Sequence, residues 1–144
     1  MTNIFPAVML LSAILYLHPV LEAGREAGAN LPRYGITDGY LMGLAEAHAR
    51  SMATRQHQDH NGWDRRFQDI YRTMSNVKEA SEICAESWPG EDAKEAAAGC
   101  WKDWKTSPGH WRTANGKPDR YGVGFARGKN GVYYTCIIAV WERK

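Results

Sequence analysis

The sequence predicts an α/β protein, a three-layer α/β/α sandwich built around a small central antiparallel sheet. Three observations carry this. Residues 41–52 and 93–104 place apolar side chains at three- and four-residue steps, the stripe of a helix buried on one face. Two strand-like runs, Tyr121 to Arg127 and Val132 to Trp141, flank a turn-rich Gly128 to Gly131 and read as a hairpin. The second run is apolar at both alternating sets of positions, Tyr134, Cys136, Ile138 and Val140 on one side and Tyr133, Ile137, Ala139 and Trp141 on the other. A strand of that kind lies in a sheet covered above and below, which calls for helices on both faces.

The elements follow in order. Ile4 to Val20 is nearly all apolar and suits the h-region of an export signal, although no Lys or Arg precedes it. Ala23 and Ala29 offer loosely matching cleavage positions. The competing reading is an apolar first helix of the fold, so the chain divides into residues 1–19, signal peptide or first helix, and a domain over 20–144. Leu21 to Ala29 is helix-compatible, and Pro32 and Gly35 break the chain after it. Asp38 or Gly39 opens the next helix, with Leu41, Leu44, Ala45, His48 and Met52 as its apolar face. A polar loop over Gln56 to Gly62 leads to a second helix, capped by Asn61 or Asp64, with Phe67, Ile70, Tyr71 and Met74 as its buried stripe. Glu82 to Trp88 is expected to be a strand, which puts Glu82, Cys84 and Glu86 on one face. Glu91 to Lys105 reads as a third helix, acidic in its first half and basic at its end, as the helix dipole prefers. Its inner face is Ala93, Ala96, Ala97, Cys100, Trp101 and Trp104, and Ser107-Pro108-Gly109 stops it.

At 144 residues the chain fits one domain that can bury a core without metal or many disulfides. A net charge of +2 gives no general pull towards nucleic acid, and the apolar N-terminal run is marginal for a membrane span, so no stable span is expected. Cys84, Cys100 and Cys136 leave at least one thiol unpaired in a monomer. An exported chain has three ways to form one bridge, and a cytosolic chain keeps three buried thiols. No CxxC and no zinc-finger spacing is present.

Taken singly, the candidate functional residues are weak. His60 lies in a polar loop and His110 after the Ser-Pro-Gly stop, while His48, inside an apolar stripe, reads as a satisfied core histidine. Ser107 beside His110 has no G-x-S-x-G elbow and reads as a helix end. Cys84 reads as a buried strand cysteine or half a bridge. Arg65, Arg66 and Arg112, with Trp63 and Trp111 nearby, suit either a groove for an anionic or sugar ligand or a solvated surface. Gly122 and Gly124 are strand glycines that allow close packing.

Taken in order, these segments form a pattern. Ala47 to Ala53 (AHARSMA), His60, Glu82 to Ala85 (EICA), Trp104 to His110 (WKTSPGH), Tyr121 to Ala126 (YGVGFA) and Val132 to Tyr134 (VYY) together resemble the CAP superfamily. That family includes cysteine-rich secretory proteins, venom antigens, plant pathogenesis-related proteins and bacterial SCP-like extracellular proteins. The resemblance spans roughly Val20 to Trp141 and is of the bacterial type. It implies the same three-layer sandwich, a long groove, and two histidines with two acidic residues facing it, which in many relatives bind a divalent metal, often zinc. By motif match the histidines are His60 and His110. The first acid is Glu82, with Glu86 as the alternative on the same face. Ser81 and Ile83 stand where the family has Gly and Asn, and Ser107 stands where eukaryotic members carry the second acid.

What the resemblance implies about function is therefore a groove floored by His60, Glu82 and His110 and rimmed by Trp63, Ser107 and Trp111. It would bind a lipid-like, glycan or peptide ligand, with zinc or another divalent cation, in a secreted or periplasmic protein. No single reaction is general across the superfamily, so binding is placed ahead of catalysis. The alternatives are a zinc-dependent hydrolase with Glu82 or Glu86 as general base to a metal-bound water, and a structural or interaction domain with a vestigial cleft.

Overall fold

The computed structural model describes residues 18–144. The apolar stretch up to residue 17, on which the export-signal reading rests, lies outside them. Six helices and four strands follow in the order α1 (Pro19–Glu26), α2 (Asn30–Tyr34), β1 (Ile36–Thr37), α3 (Gly39–Arg55), α4 (Trp63–Thr73), β2 (Val77–Glu86), α5 (Ala93–Lys105), α6 (Pro108–Ala114), β3 (Arg120–Arg127) and β4 (Tyr133–Glu142).

The strands form one sheet in the order β1-β3-β4-β2. The hairpin β3–β4 and the pair β2–β4 are antiparallel, as expected, and the two-residue β1 adds a short parallel edge on β3. Strand β4 is central and buried through most of its length, because its two apolar faces feed two separate cores. On one side Ile137 and Ala139 join Ile83, Ala85, Tyr121 and Val123 against Val20, Leu31, Ala97, Trp101 and Trp104. On the other, Tyr134, Cys136, Ile138 and Val140 join Cys84 against Leu41, Ala45, Ala49, Met52 and Ile70. Helices α1, α2, α5 and α6 cover the first face, α3 and α4 the second. The three-layer sandwich is thus as the two-faced strand required.

Gly122 and Gly124 let α3 lie directly on the sheet. A Cβ at Gly122 would sit 2.1 Å from the Leu41 carbonyl carbon, and one at Gly124 2.2 Å from the Ala45 oxygen. Asp38 caps α3 by accepting from Leu41 N–H at 3.0 Å. On the opposite face, Trp101 donates its indole N–H to the Val20 carbonyl at 2.8 Å and meets Trp104 edge-on, ring centroids 5.0 Å apart.

Several boundaries differ from expectation. Strand β2 begins five residues before Glu82 and ends at Glu86, because Val77 to Ser81 find partners along β4. Helix α4 is capped by Gly62 in the left-handed conformation, φ 80°, and not by Asn61 or Asp64. Only Ile70 of its expected stripe is fully buried. Phe67 and Tyr71 are each 37% exposed and pair with each other, and Met74 lies past the helix end. Pro32 does not break the chain but sits in the first turn of α2, where its missing N–H costs nothing. For the same reason Pro108 opens α6, so Ser107-Pro108-Gly109 ends one helix and begins another. Asp92 caps α5, which shortens it to Ala93–Lys105 and leaves Ala93 only half-buried.

Candidate functional site

Two neighbouring features sit at the β2 edge of the sheet: a polar network on the α3 side and an open cavity at the end of the strand. Alternation along β2 creates the first. Glu82 and Cys84 both point to the α3 face, while Ile83 and Ala85 enter the opposite core.

Glu82 is the hub, with its side chain wholly buried. Arg66 of α4 grips it with two hydrogen bonds, Nε to Oε2 and Nη2 to Oε1, each 2.8 Å. Burial of a carboxylate demands such a partner. The guanidinium also donates to the Asn61 carbonyl at 2.9 Å and lies 6.0 Å from the Trp63 ring centroid. His60 Nδ1 lies 3.0 Å from Glu82 Oε1, and a carboxylate only accepts, so Nδ1 carries the proton there. Cys84 Sγ is 3.9 Å from that same Nδ1 and 4.0 Å from Oε1. From α3, His48 Nε2 comes within 3.8 Å of Oε1 and 2.8 Å of the Asp59 carbonyl oxygen. A carbonyl also only accepts, so Nε2 is protonated as well.

The network sets its own protonation. The Cys84 thiol first and the Glu82 carboxylate second hold His60 charged, pushing its pKa up to about 9 against the desolvating effect of burial. Burial works against charging His48, yet its contacts with Cys84, the Asp59 carbonyl and Glu82 outweigh that and raise it. A hydrogen bond from Cys136, helped by His48 and His60, draws the Cys84 thiol well below the ordinary cysteine range despite its burial. Beside the network, Arg55 holds Asp59 down to about 2.

The ligand-type atoms of His48, Glu82 and Cys84 all lie within 4.8 Å of one another, close enough to share a metal ion. The donor chemistry fits an ion poorly, however. His48 Nε2 is committed as a donor, and both Glu82 oxygens accept from Arg66. The Arg66 guanidinium already neutralises the Glu82 carboxylate.

The cavity has a volume of about 310 Å³ and is lined by Gln58, Cys84, Ala85, Glu86, Ser87, Trp88, Asp103, Trp104 and His110. A second hollow of about 420 Å³ continues from it, sharing Glu86, Ser87, Trp88 and Asp103 and adding Glu91, Glu95 and Lys102. Trp88 stands 78% exposed beside both. His110 lies on α6 and looks into the first cavity.

The residues singled out from sequence therefore divide. His60 and Glu82 meet in the network, while His110 and Glu86 line the cavity, and Cys84 belongs to both. Trp63 packs beside the α3-side core, over Arg66, and Trp111 packs on the opposite core with Lys105 5.5 Å from its ring. Neither lines the cavity, nor does Ser107, whose carbonyl accepts from Trp111 N–H at the start of α6. The aromatic walls of this cavity are Trp88 and Trp104. Arg112 is a solvated residue paired with Glu79. Arg66 was the residue whose role the sequence hid. Its signal was spacing: with Trp63 and Ile70 it repeats at three- and four-residue steps, the inward face of α4.

Comparison with known proteins agrees with this fold. The profile of the Cysteine-rich secretory protein family (CAP) matches residues 25–138. No curated protein matches the sequence significantly. Among solved structures, an outer surface protein from Borrelia burgdorferi superposes with a TM-score of 0.62 at 16% identity, covering 92% of each chain. The chain belongs to the Cysteine-rich secretory protein (CAP) family.

Proposed function

We propose that this CAP domain acts outside the cytoplasm as a binding module, and that its ligand, a glycan or a short peptide, seats in the cavity at the end of β2. The observation that carries the reading is the composition of the walls. Glu86, Ser87, Asp103 and His110 offer hydrogen-bonding groups, and exposed Trp88 offers a flat apolar face beside them. Sugar hydroxyls and peptide N–H groups suit such a mixture, whereas a lipid-like ligand calls for mainly apolar walls. Support for a site outside the cytoplasm comes from the family itself and from the apolar N-terminus. Any export leader would end ahead of Pro19, because Val20 and Leu21 are core residues. No helix among the described residues is long and apolar enough to cross a membrane.

Zinc would have to displace Arg66 from Glu82, so we place the network as a support for the cavity wall and not as a metal centre. The hydrolase alternative with Glu82 as base weakens for the same reason, since both its oxygens are held by Arg66 and it is not free to take a proton from water. Tryptophan fluorescence titrated with oligosaccharide and peptide panels tests the binding reading. A hit should weaken about tenfold in Trp88→Ala and in His110→Ala, the loss of one good contact, with circular dichroism unchanged. Binding that ignores both substitutions would overturn the placement.

A further inference from the structure

Cys84 and Cys136 stand directly opposite each other in the β2–β4 ladder. Both belong to the α3-side core. Directly opposed residues of an antiparallel pair have Cα atoms about 4.5 or 5.5 Å apart. Either spacing falls inside the range of about 4.4–6.8 Å that a disulfide spans. Cys100 has no such option. It lies in the opposite core, its sulfur 3.3 Å from the Ala96 carbonyl oxygen and 3.1 Å from the Thr135 hydroxyl, with the sheet between it and the other two. Of the three pairings that the sequence leaves open, geometry permits one.

The two members of that pair differ in position. Both are buried, Cys136 at 0% and Cys84 at 2% exposed, but Cys136 lies at the centre of the sheet while Cys84, on the edge strand, is one of the residues lining the cavity. Polar groups surround the Cys84 sulfur, with His60 Nδ1 at 3.9 Å and Glu82 Oε1 at 4.0 Å.

We propose that Cys84 is a peroxide-reactive thiol and Cys136 its resolving partner, so that a small hydroperoxide entering the cavity closes the pair into a cross-strand disulfide. In the first step the Cys84 sulfur attacks one peroxide oxygen and the O–O bond breaks. Cys84 becomes a sulfenic acid, and the other oxygen leaves as water with the thiol proton. In the second step the Cys136 sulfur attacks the Cys84 sulfur and the S–O bond breaks. Hydroxide leaves and takes up the Cys136 proton as water. Two thiols lose two electrons in total, and one hydrogen peroxide becomes two waters. This site is independent of the ligand reading and stands or falls separately.

The test uses the full chain, reduced and then freed of reductant, treated with hydrogen peroxide and mapped by non-reducing peptide mass spectrometry. The expected product is a Cys84–Cys136 cross-linked peptide with Cys100 still alkylatable, one peroxide consumed per bridge. Cys84→Ser should slow peroxide consumption by about tenfold or more, since the reactive thiol is gone. Cys136→Ser should leave a Cys84 sulfenic acid that dimedone captures, and Cys100→Ser should behave as the parent. A bridge that includes Cys100, or three cysteines that stay reduced while other residues oxidise, would overturn the proposal. If Cys136→Ser fails to fold, the map of the parent protein decides alone.

Discussion

The two faces of the sheet solve the same packing problem with different chemistry, and their cysteines show it most simply. Cys100, on the face covered by α1, α5 and α6, meets only apolar neighbours, a hydroxyl and a carbonyl, and burial pushes its pKa up to about 12. Cys84, one layer away under α3 and α4, is drawn the opposite way by Cys136, His48 and His60. One face is an aromatic core with no acidic, basic or imidazole side chain among its buried members. The other encloses a carboxylate, a guanidinium, two imidazoles and two thiols. Stability on the first face depends on filled volume, and on the second it depends on every polar group keeping its partner.

Substitutions should separate these two modes. On the apolar face, Trp101→Ala removes a fully buried ring and its hydrogen bond to Val20, and chemical denaturation should show a loss of about 3–5 kcal/mol. On the polar face, Arg66→Met keeps the volume but strands a buried carboxylate, for an expected loss also near 3–5 kcal/mol. The double variant Arg66→Met with Glu82→Gln should recover part of it, which no volume argument would predict. Next comes Gly124→Ala. A Cβ there meets the α3 backbone at 2.2 Å, so α3 must lift, costing about 1–3 kcal/mol in denaturant midpoint.

The smallest effect is in the pH profile. His60 is raised from 6.5 to about 9, so its stabilising contacts are complete below pH 6.5 and are lost as pH rises through 9. Cys84 is lowered from 9.0, so its contribution runs the other way, present above pH 9 and lost as pH falls through its native value. Between pH 6.5 and 9, folding takes up protons at His60 and at His48, which is also raised, and releases one at Cys84, so the stability of the parent should fall only gently as pH rises. Cys84→Ala removes the release. Glu82 still favours the charged imidazole, so stability should then fall more steeply with rising pH across that window, as urea midpoints at several pH values would show. The apolar-face counterpart Cys100→Ala should leave the parent profile unchanged between pH 6.5 and 9.

The contrast between the faces also explains what the sequence made legible. Periodicity placed α3, α5 and the hairpin, because each has an apolar stripe or a two-faced strand that only a covered sheet accommodates. Gly122 and Gly124 were readable as close-packing positions for the same reason. The polar face was harder. Its members come from five separate places in the chain, and their meeting depends on strand register and helix rotation. His60 and Glu82 were found through the order of the family's motifs, and they do meet. His110 was carried over with them and lies in the cavity wall, on helix α6, which begins at Pro108 where a stop was expected. Arg66, next to exposed Arg65, suits a ligand groove or a solvated surface from sequence, and neither reading includes a buried carboxylate partner. Only the rotation of α4 turns Arg66 inward. Likewise Cys136 and Cys84 are 52 positions apart, and nothing short of the register sets them face to face.

The central claim is that Arg66, and not a metal ion, neutralises buried Glu82. Isothermal calorimetry with zinc at neutral pH, on reduced protein first stripped with chelator, tests it most directly. The account predicts an unchanged melting temperature after stripping and no stoichiometric zinc uptake. One zinc bound per chain, abolished by His60→Ala or Glu82→Gln, would contradict it.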